Sequence, residues 1–94
     1  MRLTRPVVFT VALLAAGAAI AAVGPYARGI IGARQAVCAQ SLYVRTAPND
    51  GPWMGTLTYG QTFLVESRSG DYVYGFAYGN INRRGYVQDG WFCP

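Results

Sequence analysis

Residues 42–51, LYVRTAPNDG, contain the signal that decides the fold of this chain. Leu42, Tyr43 and Val44 form an apolar run of the kind found in β-strands. Arg45 ends the run, and a Thr-Ala-Pro corner and an Asn-Asp-Gly turn follow. These residue types predict an irregular loop, because Pro, Asn, Asp and Gly favour turns. The segment therefore indicates the beginning of a small β domain.

The rest of the chain after residue 36 repeats this pattern of short β-forming runs separated by turn residues. No segment there carries a helical period. The predicted strands are 41–45, 53–58, 61–67, 72–78, 85–88 and 91–93. Five to six short antiparallel strands in so few residues predict an all-β barrel, since closure removes exposed sheet edges.

Residues 72–78, YVYGFAY, give the clearest strand. Large aromatic residues fall on one face at period two, and Val73, Gly75 and Ala77 fall on the other. The contrast in size predicts a strongly curved strand with its small side on the inside of the bend.

The N-terminal third differs in kind from the rest. Residues 7–23 are almost wholly apolar, and Arg2 and Arg5 precede them. Residues 1–27 are therefore predicted to be a secretory signal peptide, cut after Ala21 or Ala27, or an uncleaved membrane anchor. Both alternatives place the domain outside the cytoplasm. Residues 28–37 are predicted to be a linker and residues 38–94 the domain.

The charge distribution argues against nucleic acid as a partner. The chain has 8 Lys and Arg residues, all arginine, and 4 Asp and Glu residues, for a net charge of +4. Four of the arginines precede residue 36, so the remaining four balance the four acids and the domain is near neutral. The positive charge therefore belongs to the leader and is no nucleic-acid footprint.

Two cysteines, Cys38 and Cys93, bracket the predicted domain. In an exported chain an even cysteine count predicts a disulfide. Closing a loop of about 55 residues would contribute roughly 4 kcal/mol on the chain-entropy model. The competing interpretation is a pair of free or metal-binding thiols. The chain has no histidine and no CxxC spacing, so no metal is expected.

Several of these residues resemble the bacterial SH3-like (SH3b) domain. That family opens with Leu-x-Val-Arg-x-x-Pro and continues with Gly-x-Leu-x-x-Gly-x-x-x-x-Val. The matching residues are Leu42, Val44, Arg45, Pro48, Gly55, Leu57, Gly60 and Val65. Later motifs, GDY at 70–72 and GYV at 85–87, carry Tyr where the family usually has Trp.

The resemblance implies an exported bacterial barrel of two orthogonally packed sheets. Family members accompany cell-wall enzymes, and some bind peptidoglycan or its peptide cross-bridges. The end strands of such a barrel lie close together, which would bring Cys38 within reach of Cys93. Leu42 and Val44 would point inward.

Arg45 has two interpretations within such a barrel. It could contact a ligand, or it could cover the barrel edge or pair with an acid such as Glu66 or Asp89. We predict the structural role. The loop that follows is nevertheless where binding is expected, because loops on a rigid scaffold carry function.

The residue inventory predicts no catalysis and no cofactor. The chain has no histidine and no lysine, and its serines have no evident general base. Arg83 and Arg84 in a predicted turn could bind an anion, but a solvated hairpin tip is the commoner explanation and is the one we predict.

Aromatic residues are more numerous than a narrow barrel can bury. All but two of the 7 Tyr, 4 Phe and 2 Trp residues lie after residue 36. Exposed aromatic side chains build sugar and peptide grooves, although tyrosines also cover small sheets without binding anything. The candidate ligand-binding residues are Trp53, Tyr72 and Trp91.

These observations predict a monomeric, secreted or envelope-associated SH3-like module that binds cell-wall peptidoglycan weakly. Two alternatives stay open: a module that binds another exported protein, and a secreted effector. Contact with a membrane is expected only if the N-terminal segment is not cleaved.

Overall fold

Six β-strands make up the folded part of the chain. The computed structural model describes residues 23–94, so most of the predicted signal or anchor segment lies outside the described residues. The strands are β1 Arg34–Ala36, β2 Ser41–Arg45, β3 Trp53–Thr58, β4 Thr62–Ser69, β5 Tyr72–Tyr78 and β6 Arg84–Gln88. Residues 23–94 contain no helix, and hence none that could cross a membrane.

All six strands belong to one antiparallel sheet with the order β1-β4-β5-β6-β2-β3. Strands β4, β5 and β6 form a meander, and β2 and β3 form a hairpin. The hairpin joins the meander where Arg45 of β2 pairs with Tyr86 of β6. The predicted all-β class is confirmed.

The strand boundaries show what the sequence pattern captured. The predictions for 41–45, 53–58 and 72–78 are correct; β4 begins one residue and ends two residues later than predicted, and β6 begins one residue earlier. The predicted strand at 91–93 is wrong, because Phe92 makes only single bridges to Ala27 and Val37. The sixth strand is β1, which lies inside the stretch expected to be a linker.

The core is formed by the alternating apolar side chains of the strands. Those with no exposed surface include Val44, Leu57, Phe63 and Val65. The division of β5 into two faces is as predicted, since Val73, Gly75 and Ala77 are all buried. A Cβ on Gly75 would meet the backbone oxygen of Leu64 at 1.8 Å, so this position needs glycine.

Asp89 is the charged side chain at the centre of the fold, with none of its surface exposed. Its carboxylate accepts hydrogen bonds from the backbone N–H of Gly29 at 2.7 Å and of Gly90 at 2.8 Å. It also accepts from Nε of Arg28 at 3.0 Å and from Nη1 of Arg68. One carboxylate thus joins the N-terminal segment, β4 and the end of β6.

These partners determine how Asp89 titrates. Burial by itself would raise the pKa of its carboxyl group, because it penalises the charged form. The hydrogen bonds from Gly29, Arg28, Gly90 and Arg68 outweigh burial and hold the pKa of Asp89 below its usual value. The residue is therefore an anion throughout the neutral pH range.

The segment before β1 is part of the fold. Its backbone runs beside the C-terminal segment, with hydrogen bonds from Gly24 N to Asp89 O at 2.9 Å and from Tyr26 N to Gly90 O at 2.7 Å. Ala27 and Phe92 exchange two further bonds, at 2.8 and 3.1 Å. Cleavage after Ala21 would leave this pairing intact, whereas cleavage after Ala27 would remove Gly24, Tyr26 and Ala27.

Cys38 and Cys93 form a disulfide with their Cα atoms 4.8 Å apart. It lies next to the bridge between Val37 and Phe92. The disulfide thereby joins the segment between β1 and β2 to the C-terminal end of the chain, 55 positions away in sequence.

We expect Asp89→Asn to lower the free energy of unfolding at neutral pH by about 3 kcal/mol, because it leaves two guanidinium groups without their buried partner. The folded-state pKa of Asp89 is depressed, so its stabilisation is present above the unfolded pKa and is lost as the pH falls through the folded pKa. Urea unfolding from pH 7 to pH 2 should show stability falling below about pH 4 in the wild type and a flatter profile in the variant. Parallel profiles would contradict this assignment.

Reduction of the disulfide should lower the thermal midpoint by on the order of 10 °C or more, because the unfolded chain regains its freedom. Calorimetry with and without reductant measures the shift. A variant with Cys38→Ser and Cys93→Ser serves as the control and should not respond to reductant. An unchanged midpoint in the wild type would show that the disulfide contributes nothing to stability.

Candidate functional site

The loop at residues 46–52 is held in shape by the side chain of Arg45. Its Nη1 donates a hydrogen bond to the carbonyl oxygen of Gly51 at 2.9 Å, and its Nη2 lies 3.7 Å from Oδ1 of Asp50. The backbone N–H of Thr46 donates to the carbonyl oxygen of Pro52 at 2.8 Å and closes the loop at its base. Arg45 therefore has a structural role.

The expected acidic partners of Arg45 were wrong. Glu66 pairs with Arg84 across the meander, and Asp89 is occupied by Arg28 and Arg68. Arg45 instead binds within its own loop, because the Asn-Asp-Gly turn brings a carboxylate and a carbonyl oxygen back to the strand end.

Two residues of this loop adopt left-handed backbone conformations. Asn49 has φ 57° and Asp50 has φ 63°. Asn and Asp are the non-glycine residues that tolerate this region best, because their short polar side chains bond locally. The turn aims the Asp50 side chain at β5.

Tyr72, the first residue of β5, receives Asp50. The phenol donates a hydrogen bond to Oδ1 of Asp50 at 2.9 Å, and the backbone N–H of Asp50 donates to the phenol oxygen at 3.2 Å. Tyr72 is 5% exposed. Burial and the hydrogen bond to the Asp50 carboxylate together raise the pKa of the phenol above its usual value.

This contact leaves a cleft between the loop, β2 and the ends of β5 and β6, here called the Tyr72 cleft. Its cavity is about 150 Å³, and a neighbouring hollow of about 300 Å³ shares Asp50, Tyr72 and Gln88 with it. The cleft is lined by Ser41, Leu42, Tyr43, Arg45, Asp50, Tyr72, Gln88 and Trp91. It offers ring edges, hydroxyl groups, an amide and opposite charges within one small concave surface.

Two of the three predicted site residues line the cleft. Tyr72 contributes its hydroxyl-bearing edge, because the ring is buried, and Trp91 contributes part of a half-buried ring. Trp53 does not line the cleft. It is 62% exposed and packs against Tyr43, with ring centroids 5.2 Å apart and planes tilted by 54°.

Tyr43 connects these features and was missed as a site residue. It lines the cleft, is half exposed and contacts Trp53. Its position between Leu42 and Val44, which are buried, is a sequence signal that could have found it. Alternation in β2 puts Tyr43 on the outer face.

Trp91 is held on two sides. Its indole N–H donates to Oε1 of Gln88 at 2.8 Å. The ring packs against Tyr26 at 5.9 Å between centroids and lies so close to Gly24 that a Cβ there would be 2.4 Å away. The N-terminal segment thus fixes one wall of the cleft.

The two charged side chains that line the cleft, Arg45 and Asp50, differ in how exposed they are. The side chain of Asp50 is 83% exposed, whereas that of Arg45 is 19% exposed and donates one hydrogen bond to Gly51. Asp71 lines the neighbouring hollow. Within residues 23–94 there is no group of three potential metal-binding side chains.

The two arginines of the predicted hairpin tip have separate roles. Arg84 is in β6 and binds the Glu66 carboxylate through Nε at 3.0 Å and Nη2 at 3.1 Å. Its guanidinium also lies 5.5 Å from the Phe76 ring centroid. Arg83 is exposed in the turn before it, so the pair is not a preformed anion grip.

No family model matches this chain, and searches of the curated proteins and of the solved structures gave no match either.

Tyr72→Phe should loosen the loop with little effect on the core. Loss of the hydroxyl group removes both hydrogen bonds to Asp50, and we expect the free energy of unfolding to fall by about 1 kcal/mol. Amide hydrogen exchange at residues 49–51 should become faster. Tyr59→Phe is the matched control, because Tyr59 is 69% exposed and lies outside the cleft. Exchange that is unchanged in Tyr72→Phe would mean that Arg45 alone holds the loop.

Proposed function

We propose that this chain is a non-catalytic, exported SH3-like module that binds cell-wall peptide or glycan weakly. The Tyr72 cleft and the adjoining Tyr43–Trp53 pair form the binding surface. The observation that carries the proposal is an exposed pair of aromatic rings beside a small cleft with polar walls.

The SH3-like part of the proposal is supported by where the motif residues lie. Leu42, Val44, Leu57 and Val65 are all buried. Gly60, with φ 88°, stands in a turn between β3 and β4, where a motif glycine is required. The number and antiparallel direction of the strands agree with the resemblance, although the six strands form one hydrogen-bonded sheet and not the two packed sheets that the resemblance implies.

Export is supported by the apolar N-terminal segment with its two leading arginines and by the disulfide. Disulfides persist in oxidising compartments and are rare in the cytosol. A stapled fold suits a small domain that must last outside the cell.

The shape and chemistry of the surface favour a weak ligand with alternating apolar and polar groups. A cavity of about 150 Å³ admits part of a sugar or one peptide residue, so most of any ligand would stay exposed. Tyr43 and Trp53 offer ring faces for stacking or for peptide contact. Asp50, Gln88 and the Tyr72 hydroxyl offer hydrogen bonds at the rim.

The test is retention of the purified protein on isolated peptidoglycan at physiological salt. Trp53→Ala and Tyr43→Ala should each weaken retention about tenfold, since an exposed aromatic anchor contributes on the order of 1–2 kcal/mol. Tyr59→Ala is the control and should bind as the wild type does, because it removes an equally exposed ring away from the cleft.

Two outcomes would overturn the proposal. Failure of the wild type to bind peptidoglycan would exclude the wall as ligand and leave another exported protein as the candidate partner. Retention that none of the substitutions changes would place binding away from the cleft.

A further inference from the structure

Exposed apolar side chains are concentrated at one place outside the cleft. Six large apolar or aromatic residues are exposed among residues 23–94, and three of them, Tyr26, Ile30 and Ile31, fall within six positions of the N-terminal segment. Ile30 is 64% and Ile31 is 60% exposed. Two adjacent isoleucines with this exposure form a small apolar surface, and apolar surface exposed in this way is a candidate contact site.

The two isoleucines are presented by a well-formed turn at residues 30–33. The backbone N–H of Ala33 donates to the carbonyl oxygen of Ile30 at 3.0 Å, and Gly32 has φ 91°, as a type II turn requires at its third position. Gly32 N and Val65 O are 2.8 Å apart, and Val65 N and Ala33 O are 3.0 Å apart. The third and fourth residues of the turn, Gly32 and Ala33, are therefore fastened to β4.

The segment before the turn is fastened as well. Gln35 accepts a hydrogen bond from the backbone N–H of Ile30 at 2.7 Å and donates to the carbonyl oxygen of Arg28 at 3.2 Å. Gly29 is bound by Asp89 and Arg68. The isoleucines are therefore exposed on a segment whose backbone is hydrogen-bonded to the rest of the fold on both sides.

Three arginines lie close to the turn in sequence or in space. Arg28 and Arg68 flank it through their bonds to Asp89 and Gly29, and their side chains are 57% and 32% exposed. Arg34 follows the turn directly and is exposed, with its Nε donating to Thr62 at 2.9 Å and its guanidinium 3.8 Å from the Tyr78 ring centroid. Two acids are near the turn and both are paired: Asp89 is buried and shared by Arg28 and Arg68, and Glu66, next to Val65, binds Arg84. An apolar tip beside three arginines, with an excess of positive over negative charge, complements an anionic lipid surface.

The sequence before the described residues points to the same occupant. The apolar run 7–23 ends seven residues before Ile30, and residues 6–27 carry no charge. A chain anchored by that run would hold the turn within a few residues of the bilayer. We propose that the Ile30–Ile31 turn inserts into the interfacial region of a membrane with anionic headgroups, and that Arg28, Arg34 and Arg68 lie at headgroup level. Tyr26, half exposed, suits the same depth.

The turn at residues 58–61 provides a matched control. Gln61 N donates to Thr58 O at 3.0 Å and Gly60 has φ 88°, so Tyr59 occupies the same turn position as Ile31. It is similarly exposed, at 69%. Ile31→Trp and Tyr59→Trp therefore put a fluorescent reporter at equivalent positions of two turns without disturbing the core.

The experiment uses the full chain in vesicles of phosphatidylcholine and phosphatidylglycerol, with and without lipids brominated on the upper acyl chain. The fluorescence that Ile31→Trp adds to the wild-type signal should be blue-shifted and quenched by brominated lipid at least about twofold more than that of Tyr59→Trp, since interfacial residues lie about 5–10 Å deep. In vesicles without phosphatidylglycerol the quenching should weaken.

Equal quenching of the two reporters would overturn the proposal, as would quenching that does not depend on anionic lipid. A blue shift that grows with protein concentration but ignores brominated lipid would assign the turn to a contact with a second copy. Near-ultraviolet circular dichroism of each variant establishes that the fold is kept. The proposal does not depend on wall binding, because Trp53→Ala leaves this turn untouched.

Discussion

The buried carboxylate of Asp89 is the constraint on which the rest of the structure depends. A charge without exposed surface is stable only when its hydrogen-bonding capacity is filled, and here two backbone N–H groups and two arginines fill it. Three of those donors come from segments distant in sequence, 60 positions in the case of Gly29, and the fourth is the neighbouring Gly90. Satisfying one anion therefore aligns the N-terminal segment with β4 and with the end of β6. The bridges of Ala27 and Val37 to Phe92 and the disulfide follow from that alignment.

The position of the loop over the cleft is likewise fixed by polar contacts. The loop at 46–52 has no large apolar side chain that could anchor it in the core. Its position therefore depends on the hydrogen bond between the Tyr72 phenol and Asp50 and on that between Arg45 and Gly51. The apolar core sets the path of the strands, whereas these polar contacts set where the loop lies over them. The loop is held at its tip by Asp50 and at its base by the bond between Thr46 and Pro52, and the cleft lies between the loop and the strands.

The sequence predicted those strands that have one face in the core. Alternation in 72–78 located β5 and its inner face, because Val73, Gly75 and Ala77 are buried. Strand β1 was missed, since three residues, Arg34 to Ala36, with no buried side chain among them give no period to detect. The partners of Arg45 were missed for another reason. An ion pair depends on which segments meet in space, and neither periodicity nor composition records that.

The same distinction explains which site residues were predictable. Tyr43 and Tyr72 are both strand tyrosines, yet one is half exposed and the other is 5% exposed. Period two alone would put Tyr72 outward with Tyr74, and it is the loop, through Asp50, that covers it. A count of aromatic residues can therefore predict that some rings are exposed but cannot say which. Loop placement decides that here, so a change that frees Asp50 would alter the proposed binding surface without changing any of its aromatic residues.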